Sequence, residues 1–346
     1  MMRLLYKLVA IATVLSSLIL GWLWFDYQQF LDTPIQLKES KQSLLIELGQ
    51  SLRTVAHNLV RDELIEDERY FRVLARLSGK SSRIQAGEYL LTGTMSPEEL
   101  LNKLVEGRVR QYGLTLIEGW KFTEMLAFIN ESPDLKHTLK GESPEGIMAE
   151  IGYPDIHPEG RFLPDTYHFP KGMSDREFLR RAYQTMEQFL EQAWEDRDKD
   201  VPLKNPFEAL ILASIIEKET GRASERPEIA GVFTRRLNKR MRLQTDPTVI
   251  YGLGDSFNGN IKRRHLTEDN SYNTYTRHGL PPTPIAMPGR EAILAALHPA
   301  AGDAIYFVAK GDGSHHFSAT LKEHNNAVIK YQLKGRKKSF SSYKSR

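Results

Sequence analysis

From Leu8 to Phe25, LVAIATVLSSLILGWLWF, no residue carries a charge, and the run is long enough to cross a bilayer. A helix apolar on every side must be buried, either in lipid or in protein, and no later pattern in the chain offers it a protein partner. Arg3 and Lys7 stand before the run, and Trp22 and Trp24 close its far end. The early positive charges hold the N-terminus in the cytoplasm and send the rest outside. A cleaved signal would have a shorter apolar region and a small-x-small site, whereas Trp22, Leu23, Trp24, Phe25 and Asp26 follow here. The expectation is therefore an uncleaved anchor over residues 8–25, with residues 1–7 cytoplasmic.

Of the 346 residues, what remains is enough for two modest domains or one of about 300 residues. There is no cysteine, which excludes disulfides and thiolate chemistry and suits a chain working outside the cytoplasm. The net charge of +3 is a weak signal, because Lys334 to Arg346 alone holds six Lys or Arg and no acid. That tail, residues 334–346, is expected to be a solvated terminus or a contact to an anionic surface.

Residues 34–107 carry the pattern of a small α+β module. Ser43 to Leu48 and Ala86 to Thr92 suit strands, Ser51 to Arg61 and Tyr70 to Leu77 suit helices, and Ser96, Pro97 and Glu99 cap a further helix. A strand from Arg110 to Ile117 then leads into Glu118, Gly119 and Trp120. The segment EGRFLPDTYHF, Glu159 to Phe169, suits either a sugar face or a turn packed on the core.

The chemistry concentrates between Asn205 and Leu237. Asn205, Pro206 and Glu208 read as an N-cap, a first-turn proline and a capping-box residue. At helical spacing Ile211, Leu212, Ile215 and Ile216 form one apolar arc, and Glu219 falls near its middle. Glu217 falls on the side of Ala213 and Ser214, where a solvated face is the plain reading. A carboxyl on an apolar arc is partly desolvated; its pKa rises and it becomes able to donate a proton near neutrality. Gly221 stops the helix, and Ser224, Pro227 and Glu228 open the next.

Arg242 to Gly254 and Ser271 to Gly289 read as loops dense in Tyr, Asn, Thr, Pro and Gly. Gln244, Asp246, Tyr272, Asn273 and Tyr275 are candidates to line a carbohydrate groove; alternatively these side chains cap the loops themselves. Arg290 to Leu297 is expected to be a short helix, residues 304–318 a hairpin, and Thr320 with Glu323 the cap of a last helix. His265, His278, His298, His315, His316 and His324 lack the i, i+4 spacing of a zinc site, so no metal is expected. Basic residues are not interleaved with aromatics on one face as nucleic-acid binding would require.

Taken together, SIIEKET (214–220), ASER (223–226), LQTDPTVIYG (243–252), YNTY (272–275), GLPP (279–282), AMPG (286–289) and YFVAKGDGSHHF (306–317) resemble the YceG-like family of endolytic murein transglycosylases. One departure is Thr283 and Pro284, where Gly or Ser would be expected. The order of the first module resembles a LysM-type glycan-binding layout. The resemblance implies an α+β chain: a transmembrane helix in the bacterial inner membrane, a LysM-like subdomain over 34–107, and a periplasmic catalytic domain over 108–333. It implies Glu219 as the catalytic residue; beside it, Gln244, Asp246, Tyr272, Asn273 and Glu217 are assigned here to substrate positioning. The implied partners are peptidoglycan glycan strands, the membrane and, as candidates, peptidoglycan synthases; no nucleic acid and no cofactor are implied.

A lytic transglycosylase needs one acid–base carboxyl, because its nucleophile is the C6 hydroxyl of the sugar being cleaved. A muramidase would need a second carboxylate, for which Asp246 and Glu217 are the candidates. A non-catalytic glycan-binding scaffold is the alternative from another class.

Overall fold

The computed structural model describes residues 2–333. The basic tail over 334–346 lies outside the described residues. Two compact units are present, Met1–Tyr112 with His168–Met173, and Gly113–Tyr167 with Ser174–Arg346.

The first unit opens with α1 (Met2–Asp32), of which Leu5–Asp32 is long and apolar enough to cross a membrane. The last turns of α1 belong to the folded unit, since Tyr27 and Phe30 are buried in its core and Tyr70 donates a hydrogen bond to Asp26. Strand β1 (Lys41–Ile46), helices α2 (Leu52–Arg61) and α3 (Glu68–Leu77), strand β2 (Gly87–Thr92) and helix α4 (Pro97–Glu106) follow. β1 and β2 are antiparallel, registered from Lys41↔Thr92 to Ile46↔Gly87. Alternation then turns Leu44, Ile46, Tyr89 and Leu91 inward, onto Val55 and Leu59 of α2, Phe71 and Leu74 of α3, and Leu100, Leu101 and Leu104 of α4. Each of these fully buried side chains contributes about 1.5–3 kcal/mol. The expected capping box at Ser96 and Glu99 is formed, and Gly107 ends α4 at a left-handed φ of 68°.

Next in chain order come β3 (Gln111–Thr115), α5 (Phe122–Asn130), α6 (Pro144–Glu150), β4 (Thr166–Pro170) and α7 (Asp175–Glu195), the three helices lying in the second unit. Thr115 of β3 and Thr166 of β4 lie hydroxyl to hydroxyl at 2.8 Å. The chain continues through α8 (Pro206–Glu219), a 3-10 turn (Ala223–Glu225), α9 (Arg226–Asn238), α10 (Asp246–Leu253), α11 (Arg263–Thr267) and α12 (Arg290–Leu297). It ends in β5 (Tyr306–Ala309), β6 (His315–Ser318) and α13 (Leu321–Tyr331). β5 and β6 form the expected hairpin, registered from Tyr306↔Ser318 to Ala309↔His315.

α8 is the axis of this unit. Every residue from Ala209 to Ile216 is buried, and α7, α9, α10 and α12 pack around it. The expectation of one apolar arc with a solvated opposite face is corrected here: ALILASII supplies apolar or small residues on all sides, and such a helix is enclosed. Asn205 accepts the Glu208 N–H at 3.0 Å as expected, but the Glu208 carboxyl reaches the Lys204 N–H, so no capping box closes. A second correction concerns Arg242 to Gly254: Thr245, Asp246 and Pro247 start helix α10. Around Glu159 to Phe169 the packed turn is the outcome, with Phe162, Leu163, Tyr167 and Phe169 all buried.

Candidate active site

Both glutamates of SIIEKET sit at the C-terminal end of α8, where the enclosing core stops. Glu219 keeps a partial opening to solvent while its carboxyl is drawn inward, and the Thr245 hydroxyl donates to Oε1. Burial pushes the carboxyl up to about 7. The negative charge of Asp246 works in the same direction; the Thr245 hydroxyl, His315 and Arg236 oppose both. Near neutrality this side chain can hold a proton and can also give one up.

Thr245 is itself fixed by a lattice of buried hydroxyls. Its N–H donates to Thr274 Oγ1 at 3.1 Å, Thr248 Oγ1 donates to Thr245 O at 2.8 Å, and the Thr248 and Thr274 hydroxyls lie 2.9 Å apart. The preceding Gln244 has a left-handed φ of 53°, which a non-glycine residue adopts only when its surroundings demand it. Its N–H donates to Thr274 O at 3.2 Å and its side chain is exposed. Asp246, the first residue of α10, is also exposed and accepts the Tyr275 hydroxyl at 2.6 Å. The structure thus places Gln244, Thr245 and Asp246 in one short segment against Glu219.

Glu217 overturns the expectation of a solvated face. Its side chain is only 6% exposed; Oε1 accepts Arg226 Nη2 at 3.0 Å and Oε2 accepts the Gly289 N–H at 3.0 Å. Burial raises its pKa, against the Gly289 N–H and the Arg226 charge, which favour the anion. The same Arg226 nitrogen reaches Glu118 Oε2 at 3.4 Å, and a Cβ at Gly289 would strike the Glu118 carboxyl. Lys218 Nζ donates to Gly119 O at 3.1 Å, while Gly119 and Trp120 exchange backbone hydrogen bonds with Met287. The EGW and AMPG segments are therefore braces for the end of α8. Both oxygens of Glu217 are engaged by this brace.

Asn273 is held by the chain in the same way. It is fully buried; Nδ2 donates to His265 O at 3.0 Å and Glu268 O at 2.6 Å, and Oδ1 accepts the Tyr275 N–H. The loop-capping alternative describes it. Tyr272 is half-buried, its ring 4.8 Å from that of Tyr251 and its hydroxyl 2.8 Å from Thr283 Oγ1. The unexpected Thr283 thus supplies a hydroxyl that Gly could not.

Sequence reading missed Glu159, Thr245, Tyr251 and Arg226. Glu159 is buried, accepts the Phe122 N–H and the Tyr251 hydroxyl at 2.9 and 3.0 Å, and is pushed up to about 7 by burial. A charged residue opening EGRF, and another opening the apolar run of α9, were the available signals; both resemble ordinary surface residues until the fold encloses them. Among the described residues no group of three or more His, Asp or Glu is arranged to hold a metal.

A model of the YceG-like family matches residues 44–330. A Bacillus subtilis (strain 168) protein named endolytic murein transglycosylase is 32% identical over 326 residues, covering 89% of this chain and 89% of that protein. One of the same name from Streptococcus pneumoniae (strain ATCC BAA-255 / R6) is 26% identical over 351 residues, covering 89% of this chain and 62% of the relative. The 2.6 Å crystal structure of a yceG-like protein from Listeria monocytogenes aligns with a TM-score of 0.52 at 28% identity, over 83% of this chain and 98% of that one.

Proposed function

The chain belongs to the YceG-like family, and from that premise we propose that it is a membrane-anchored endolytic lytic transglycosylase. It cuts the MurNAc–GlcNAc bond within nascent peptidoglycan strands, leaves 1,6-anhydro-MurNAc ends and so terminates strand growth. The observation that carries this reading is the Glu219 carboxyl, poised near neutrality at the end of a buried helix. Glu219 donates its proton to the glycosidic oxygen as the C1–O bond breaks. The C6 hydroxyl of the same MurNAc then bonds to C1, and its proton returns to Glu219, so the enzyme is reset and no water is consumed. Because the nucleophile is tethered to the reacting sugar, intramolecular delivery contributes roughly 7 kcal/mol or more in good geometry.

Gln244, Asp246 and Tyr272 are the proposed substrate contacts, and Glu217 and Asn273 position the segments around them. The first unit, over residues 34–107, is proposed to be a LysM-like module that holds glycan. α1 spans the inner membrane through residues 8–25, with residues 1–7 cytoplasmic and the catalytic domain, residues 108–333, periplasmic. Peptidoglycan synthases are the proposed partners.

A muramidase reading retains one specific support. With Glu217 committed to Arg226, Asp246 is the remaining second carboxylate, and it is exposed beside Glu219. The products separate the two: full-length protein in detergent, given uncrosslinked strands, should release 1,6-anhydro ends by mass spectrometry. Reducing ends would establish the hydrolase, and absence of cleavage would leave only a glycan-binding scaffold.

A further inference from the structure

The β5–β6 hairpin is tied to the turn that follows Glu219 by polar side chains. Arg222 donates to Asp312 O at 2.8 Å, and Glu225 grips His315 twice: Oε1 accepts the backbone N–H at 2.9 Å and Oε2 lies 2.7 Å from Nδ1. Glu225 and His315 are enclosed, their side chains 13% and 11% exposed. A carboxylate only accepts, so Nδ1 must carry the proton. The tautomer is thereby fixed and Nε2 becomes the working end of the ring. Phe307 stands edge-on to the imidazole at 5.4 Å and limits its rotation. Nε2 has no hydrogen-bond partner among the described residues, yet it is not sealed among the buried unsatisfied atoms. A ring oriented by a buried carboxylate, held against an aromatic edge and left with one free polar atom is arranged to meet a ligand. The site it would serve is that of Glu219: Arg222 and Glu225, which hold the hairpin, lie in the turn directly after it, and a positive charge on the ring would favour the anionic form of that carboxyl.

We propose that His315 is a substrate-contacting residue, oriented by Glu225, whose Nε2 hydrogen-bonds a polar substituent, hydroxyl or acetamido, of the sugar beside the bond Glu219 cleaves. This rests on the reading of Glu219 as the acid. It gives the GDGSHHF segment a role, with the hairpin forming one wall of the cleft and the Gln244–Asp246 segment another.

The side chains that mimic the two ring nitrogens make the test. An Asn amide reproduces the Nδ1 position and so the bond to Glu225; a Gln amide reaches the Nε2 position. In the full chain in detergent micelles, with uncrosslinked glycan strands, His315→Gln should keep kcat/KM within about 10-fold of the parent. His315→Asn and His315→Phe should lose about 10- to 100-fold, as expected for one lost hydrogen bond. A purely structural histidine predicts the reverse, with Asn retaining the Glu225 bond, or Phe retaining the packing, at full activity; either result overturns the inference. A second measurement does not depend on those variants folding. In Glu219→Gln protein labelled at histidine, the Nε2 resonance of His315 should shift when strands are added, and binding without a shift overturns the inference. Cleavage by the Glu219→Gln protein would instead sink the reading of the reaction itself.

Discussion

The interiors of the two units are built on different terms. Among the described residues the first unit buries a single charged side chain, Glu88, within a core of Leu, Ile, Val, Phe and Tyr. Glu88 is fully served there: Ser43 and Tyr112 donate to it and Arg110 stands at 3.7 Å. These donors and the positive charges of Lys171 and Arg110 hold its pKa low despite burial. The second unit buries Glu159, Asp175, Arg226 and Arg236, together with threonines and Asn273. Two of its carboxyls, Glu159 and Glu219, are raised to about 7. Burial of a group whose charge is not fully compensated costs stability, and such groups gather where chemistry needs them. A core that only has to hold together does without them.

The largest effect that would sharpen this contrast is at Glu219. Glu219→Gln keeps the shape but cannot donate a proton, and turnover should fall by roughly 10² to 10⁴ while the melting curve is retained or rises. Activity near the parent level would erase the distinction between the units. The parent should also lose activity as pH rises through about 7, where the Glu219 carboxyl gives up its proton, and a pH–rate profile checks this.

Arg226→Met comes next. It leaves Glu217 buried without its cation, which costs about 3–5 kcal/mol, read as a lower denaturation midpoint. The double variant Arg226→Met with Glu217→Gln should recover much of that loss. If it does not, the arginine contributes by packing and the ion pair is not the brace.

In the first unit, Leu101→Ala should cost about 2–5 kcal/mol through the cavity left in a fully buried site. Below its melting point this variant should turn over strands like the parent. A large loss of kcat would show that the apolar core also carries chemistry.

The smallest effect, and the one of opposite sign, is expected at Glu159. Its folded value of about 7 lies above the 4.5 of a free carboxyl, so the folded protein binds the proton more tightly. That stabilisation is complete below about pH 4.5 and is lost as pH rises through about 7. Gln lacks the titration and can still accept from the Phe122 N–H and meet the Tyr251 hydroxyl. Glu159→Gln should therefore gain on the parent between pH 5 and 8, by at most on the order of 3 kcal/mol. Equal melting shifts at both pH values would mean that Glu159 stays charged, like Glu88.

Much of the secondary structure was legible because its causes are local. The Ser96 and Thr320 capping boxes and the His315–Ser318 hairpin strand depend on residues a few positions apart. Glu219 was legible for a related reason, being a charge placed at the end of a strongly apolar run. Helix α10 was missed because Thr, Asp and Pro open helices and turns alike, and the choice here depends on Thr274, far along the chain. The enclosure of Glu217 and Asn273 was not legible because their partners, Arg226, Gly289, His265 and Glu268, are supplied by other segments.

By itself the sequence determined what periodicity and local chemistry govern: an apolar helix long enough for a bilayer, most of the helices and strands of the first unit and the ends of the second, and a glutamate at the edge of an apolar helix. Only the tertiary structure decided which polar side chains are enclosed and with whom. Burial and pairing are properties of surroundings drawn from the whole chain, and they separate Glu219, left with a hydroxyl and able to exchange a proton, from Glu217, which stands two residues before it in α8 and is locked to Arg226 of α9.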